Sequence, residues 1–179
     1  FALAAGQTIE KDIIAGTGHV ETSAFYVEGM KVDSSSMFVE IFNAAKKIDG
    51  SRQSIAYSYG PDAKFDLPAG DYALVAKIEG AVAETAFSVK VGERVEPNVV
   101  LNAGVLKVTA AGYDGWQIFG AKAKIDGSRE QFTYGYGPEF QATLIAGDYV
   151  IVTSKPGGAG ERETPVTIKA GERTEITVP

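Results

Sequence analysis

The chain has no cysteine, which removes disulfides, thiolate metal sites and cysteine nucleophiles. A small secreted scaffold stapled by disulfides is therefore not expected. Histidine is nearly absent too. His19 is the single copy, so a multi-histidine metal site is excluded and a Ser-His-Asp triad is poorly supported. Basic charge is in deficit: 17 Lys and Arg stand against 23 Asp and Glu, for a net charge of -6. The cations are scattered among the acids, and without a basic stripe no nucleic-acid partner is expected. No apolar run approaches the roughly 18 residues that a membrane span needs. The sequence has no initiator Met and no basic-then-apolar leader. Also missing is any amphipathic helical pattern of ten residues or more. Nothing in the composition calls for a cofactor.

What is present is a repeat. "IFNAAKKIDGSR" (41–52) returns as "IFGAKAKIDGSR" (118–129), and over 41–72 against 118–149 there are 18 identities in 32 positions. The match runs through "LPAGDY" and "LIAGDY", slips by two residues at "KPGGAGER", and resumes as "VKVGERVE" (89–96) against "IKAGERTE" (168–175). A partial third copy opens the chain, where "AGQTIEKDIIAGTG" (5–18) aligns with "VGERVEPNVVLNAG" (91–104). The pattern predicts terminal strands of a preceding repeat over 1–16, one repeat over 17–101 with an insertion about 27–38, and a second over 102–179. A chain that opens inside a repeat is expected to be a piece of a longer protein.

Within each unit the hydrophobic period is two. "AFSVKV" sets Phe87, Val89 and Val91 against Ser88 and Lys90, and "RTEITV" sets Thr174, Ile176 and Val178 against Glu175 and Thr177. Such alternation means half-buried strands. Turn signals ("DGS", "YGP", "AGD", "GER", "NAG") recur every eight to twelve residues. The expected fold is all-β: tandem seven-stranded antiparallel Ig-like or prealbumin-like sandwiches. In the second unit, strands are expected near 104–111, 116–126, 130–136, 140–145, 148–155, 162–169 and 173–178.

The motifs divide into turns and candidate contacts. "IDGSR" carries one acid per copy, Asp49 or Asp126, and reads as a tight hairpin, because a calcium loop needs several close oxygen ligands. Tyr72 and Tyr149 after "AGD" fit a tyrosine corner, ring buried and hydroxyl on a backbone group. No pair of carboxylates is marked for catalysis, since Asp49/Asp126 and Asp71/Asp148 are copied turn residues, whereas catalytic groups tend to occur once. His19 reads as a packed or surface residue. "YSYGP" (57–61) and "YGYGP" (134–138) place Tyr57 and Tyr59 in phase with Ile55, and Tyr134 and Tyr136 in phase with Phe132. That phase predicts a core-facing stripe with Tyr59 and Tyr136 near its rim. The single Trp116 starts a strand apolar on both faces, which places it between layers or at a domain junction. The insertion brings Met30 and Met37, absent from the second unit, into a loop that could meet a partner. The candidate contacts are therefore Trp116, Tyr59, Tyr136, Met30 and Met37.

"LPAGDYALVAK", "AFSVKVGERVE" and "LNAGVLKV" resemble bacterial carboxypeptidase-regulatory-like and Cna-B-like modules of the prealbumin-like sandwich type. The tandem order is similar to repeats found downstream of von Willebrand factor A domains. The resemblance implies a non-enzymatic stalk, spacer or adhesive segment of a bacterial extracytoplasmic protein, at the cell surface, in the periplasm or secreted. Its partners would be other domains of the same longer chain, and a surface protein or a glycan. Some Cna-B-like modules join a first-strand Lys to a last-strand Asn. Here Lys107 lacks its partner, since Thr177 stands where the first unit has Asn98, and the first unit has Asn98 but Glu21 in the lysine position, so no such bond is expected. Two other readings stay open: a carbohydrate- or small-ligand-binding module, and an accessory domain of a hydrolase.

Overall fold

The computed structural model describes residues 16–158 and 160–179. The terminal strands expected over 1–16 fall outside the described residues except for Gly16. Apart from one 3-10 turn at Pro156–Gly158, every element among the described residues is a strand, and the fold is all-β.

The later half gives the plainer case. Its strands are β11 (Ala103–Thr109), β12 (Gly115–Ala123), β13 (Arg129–Tyr136), β14 (Glu139–Ile145), β15 (Gly147–Ser154), β16 (Glu161–Ile168) and β17 (Arg173–Thr177). They form a three-stranded sheet, β14-β11-β17, and a four-stranded sheet, β13-β12-β15-β16. Alternate residues of both sheets turn inward, so that Leu106, Val108, Ile118, Leu144, Ile151 and Ile168 share one buried core.

One pairing differs from the expected antiparallel pattern. β17 runs parallel to β11. The Gly-Glu-Arg turn that hands the chain from one sheet to the other sits against the start of β11, with Gly171 donating to the Ala103 carbonyl and Val105 to the Glu172 carbonyl, both at 2.9 Å. β17 therefore begins where β11 begins and travels the same way.

The earlier half repeats this plan with interruptions. Its strands are β1 (Thr17–Glu21), β2 (Ser23–Val27), β3 (Met30–Lys31), β4 (Phe38–Lys46), β5 (Arg52–Tyr59), β6 (Lys64–Pro68), β7 (Gly70–Ile78), β8 (Ala81–Val89), β9 (Arg94–Val95) and β10 (Asn98–Val100). Sheet β5-β4-β7-β8 matches β13-β12-β15-β16. The opposing layer is split into β6-β1-β9 and β10-β2-β3. Thr22 breaks the first strand and satisfies itself on the Ala63 carbonyl, and Pro97, which has no N–H to give, breaks the last.

The insertion is half core. It forms the β2–β3 hairpin around Gly29 (φ 82) and then buries Val32 and Met37 completely. Met37 is thus not a contact residue. Where the later half fills its core with Trp116 and Phe140, the earlier half has Val39 and Ala63, and its core draws Val32 and Met37 from the insertion.

The halves meet through a built joint. The Glu79 carboxylate accepts the Thr143 backbone N–H, and Gly80 donates its N–H to the Thr143 carbonyl at 3.1 Å. Both backbone groups that Thr143 presents at the outer edge of β14 are capped by the β7–β8 turn. Tyr26 stands beside Thr143, and burial there pushes its phenol pKa up. Tyr26 and Met30 also line a hollow of about 150 Å³ with Val105, Gly171 and Arg173.

Candidate functional site

The repeated tyrosines are on the outside. Tyr57 and Tyr59 are 65% and 70% exposed, and Tyr134 and Tyr136 are 67% and 82% exposed. The core-facing stripe expected from their phase is overturned. The reason is a β-bulge in each copy. Ile41 opposes Ala56 but Phe42 opposes Ser54, leaving Ile55 as the extra residue, and Phe132 is skipped in the same way between Thr133 and Gln131. A bulge breaks the two-residue alternation, so the side of Ile55 or Phe132 says nothing about the side of the tyrosines that follow.

The inward positions of these strands are small for a reason. Gly135 lies under the Trp116 indole, and a Cβ there would come within 2.2 Å of Trp116 Cζ2. Trp116 is itself buried and stacked on Phe140, ring centroids 3.8 Å apart at 11°. It joins the two layers of its own sandwich and is not a contact residue, as Met37 is not. Met30, 46% exposed, lies on the rim of the joint. Of the five candidates, only Tyr59 and Tyr136 present a broad free face.

β5 and β13 are edge strands, and their tyrosines stand on the outer faces of the two four-stranded sheets. In the earlier half, Phe38 of β4 completes a cluster. Its ring centroid lies 6.0 Å from Tyr57 and 5.3 Å from Tyr59, and the two tyrosines meet edge-on at 6.5 Å. Ser36, Phe38, Tyr59, Lys77 and Glu79 bound an open hollow of about 370 Å³ beside it. Gly115 takes the place of Phe38 in the later half, so Tyr134 and Tyr136 stand without a third ring. The sequence signal for Phe38 was available only as "MFVE", with nothing to mark its face.

Two ion pairs recur at equivalent places on these sheets. Arg52 meets Glu84 at 2.6 Å, and Arg129 meets both oxygens of Glu163 at 3.0 Å. The three-stranded layer of the earlier half carries a denser charge cluster. His19 bonds Asp66 at 3.0 Å through Nδ1 and Glu21 at 3.1 Å through Nε2, and Glu21 also takes Lys64 and Arg94. These hydrogen bonds, Asp66 first and then Glu21, raise the His19 pKa, while Lys64 and then His19 hold the Glu21 carboxyl down. Both imidazole nitrogens are taken by carboxylates, and among the described residues no hydroxyl bonds the ring. The turn acids Asp49 and Asp126 are held below the usual carboxylate range by Ser51 and Ser128. Among the described residues no three His, Asp or Glu side chains converge on a metal-sized site. No described helix is long and apolar enough to cross a membrane. The outer faces of the four-stranded sheets present aromatic rings with hydroxyl tips, bordered by charge.

No protein-family model and no curated protein matches the chain. Among solved structures, the chain is similar to the Bacillus anthracis TIE protein at 20% identity and a TM-score of 0.37, over 91% of this chain and 34% of that one. It is also similar to a streptococcal ancillary pilin at 13% identity and a TM-score of 0.43, over 99% of this chain and 68% of the pilin. The chain thus spans about a third of the length of the first of these.

Proposed function

We propose that this chain is a non-enzymatic adhesion segment of a bacterial extracytoplasmic protein, built from Cna-B-like repeats over 17–101 and 102–179. Its working surfaces are the tyrosine-bearing outer faces of the two four-stranded sheets. The observation that carries this reading is the repeated exposure of Tyr57, Tyr59, Tyr134 and Tyr136. A soluble monomer rarely leaves aromatic patches uncovered without a partner, and tyrosine offers large contact area with a polar tip. A glycan or a surface protein is the partner class such faces fit. Binding to a glycan array and to whole bacterial or host surfaces tests it. The double variants Tyr57→Ser/Tyr59→Ser and Tyr134→Ser/Tyr136→Ser are expected to lose binding at an unchanged melting temperature.

A spacer or stalk role is the second reading, supported by one observation, the Glu79–Thr143 hydrogen bond between the halves. Retained binding, or none in wild type, would favour the spacer.

A further inference from the structure

The joint between the halves has a twin whose edge no described residue caps. On the later half, the seat for the earlier half consists of the Thr143 edge of β14, the Gly171 turn and the start of β11. The glycine turn, the close passage beside it and the outward-turned edge pair of that seat all recur on the earlier half. Gly92 and Gly171 share φ 74. Gly92 donates to Thr17 at 2.9 Å as Gly171 does to Ala103, and His19 donates to Glu93 at 2.8 Å as Val105 does to Glu172 at 2.9 Å. A Cβ on Gly18 would strike the carbonyl of Lys90 at 2.6 Å, and one on Gly104 that of Lys169 at 2.2 Å, so both glycines serve the same close passage.

The edge strands agree as well. Val105 turns its N–H toward β17, so its partner Thr143 turns both backbone groups outward, where Glu79 and Gly80 take them. His19 turns its N–H toward the β9 side, so its partner Asp66 likewise turns both backbone groups outward. Among the described residues nothing takes the Asp66 groups. The glycine turns differ in the same sense. A Cβ on Gly171 would lie 3.0 Å from Val27 of the earlier half, whereas a Cβ on Gly92 meets no described residue within 4 Å.

From this we infer that the Asp66 edge of β6, with the Gly92 turn and the start of β1, is a docking seat for a preceding repeat of the same fold. That repeat would insert its β7–β8 turn as Glu79–Gly80 inserts on Thr143. Two observations select this occupant over any other strand or loop. The interface already exists once in the molecule, in the same register. The sequence ahead of Thr17 carries the closing-strand pattern of a repeat, as 5–18 aligns with 91–104. Docking through main-chain groups makes the seat tolerant of the change from Thr143 to Asp66, because the captured atoms belong to the backbone. The outcome is a rod that extends by one rule, each repeat capping the edge strand of the next.

The test lengthens the chain by repeating residues 17–102 in tandem, so that a second copy of the Tyr26, Val27, Glu79 and Gly80 end precedes Thr17. Amide hydrogen exchange is read at Asp66 of the original repeat, with Thr143 as internal control. The expected result is an Asp66 amide slowed by about tenfold or more relative to the parent chain, with Glu79→Ala in the added copy alone restoring fast exchange. Equal exchange in parent and lengthened chains overturns the inference. So does slow exchange already present in the parent, or slow exchange that survives the Glu79→Ala change. An added copy unable to fold ahead of Thr17 counts against it too, since a seat for a preceding repeat must accept one.

Discussion

Gly135 lies directly beneath the Trp116 indole, while the equivalent pair in the earlier half is Ser58 beside Val39. One copy has a large residue over none, and the other a medium residue over a small one. The two positions therefore trade volume. Gly135→Ser alone is expected to destabilise by about 1–3 kcal/mol through overpacking. Trp116→Val alone should cost about 3 kcal/mol or more through the cavity it leaves. Combining them should cost less than the sum, with a coupling of about 1 kcal/mol, read from urea unfolding followed by circular dichroism. Strict additivity would mean that the two side chains do not compete for the same space.

Met37 belongs to the insertion yet is fully buried among Val20, Val39, Leu74 and their neighbours. Met37→Ala is expected to cost about 2–5 kcal/mol. Met30→Ala, at an exposed position seven residues away, should change stability by less than about 0.5 kcal/mol. Thermal unfolding of both variants decides whether the insertion is a tolerated loop or part of the core.

Tyr72 and Tyr149 each donate a phenolic hydrogen bond to a carbonyl four residues back, Pro68 at 2.9 Å and Ile145 at 2.7 Å. Burial raises both phenol pKa values. Removing the hydroxyl keeps the ring and takes the phenolic donor from a part-buried carbonyl, so Tyr72→Phe and Tyr149→Phe should each cost about 1 kcal/mol in denaturant unfolding. Unequal costs would show that one corner has another acceptor.

The strands and the tyrosine corners were legible because they follow local rules: a period of two, glycine at turns, and a ring followed by a nearby carbonyl. The later half matches its expected strands to within a few residues. What failed to show was non-local. The bulges at Ile55 and Phe132 depend on a neighbouring strand, so the outward turn of Tyr57 and Tyr59 could not be read from "SIAYSY". Met37 looked like loop because its core partners lie far along the chain. Trp116 was read as lying between layers or at a domain junction, and the choice between them, its partner Phe140 and the space at Gly135 all required the fold. The joint was invisible for the same reason, since Glu79 and Thr143 are 64 residues apart.

His19 gives a pH dependence with a definite sign. Its hydrogen bonds to Asp66 and Glu21 stabilise the imidazolium, so the folded pKa lies above the unfolded value of about 6.5. The stabilisation is fully present below the unfolded value and is lost as pH rises through the folded one. An NMR titration of this sole histidine should give a midpoint above 6.5, and Asp66→Asn should lower it more than Glu21→Gln, because Asp66 is the larger cause. A midpoint at the ordinary value would mean that solvent separates the ring from both carboxylates.

Glu79 holds a positive φ of 49, a conformation that costs a residue with a Cβ. The corresponding β15–β16 turn of the later half uses glycine for such geometry, at Gly157 (φ 76) and Gly160 (φ 77). The earlier half keeps the strained residue, and what the strain retains is the carboxylate on Thr143. Two substitutions separate these contributions. Glu79→Gly relieves the backbone and removes the carboxylate, so the earlier half should hold its stability or gain up to about 1 kcal/mol while the joint loosens. Glu79→Ala keeps the strain and loses the carboxylate, so the earlier half should hold its stability while the joint loosens. Hydrogen exchange at the Thr143 amide should quicken by about tenfold or more in either variant, since a charge-assisted bond contributes about 1.5–3 kcal/mol. If Thr143 exchanged as slowly in both variants as in wild type, Gly80 and the packing around Tyr26 would be holding the joint without Glu79, and its positive φ would lack an explanation.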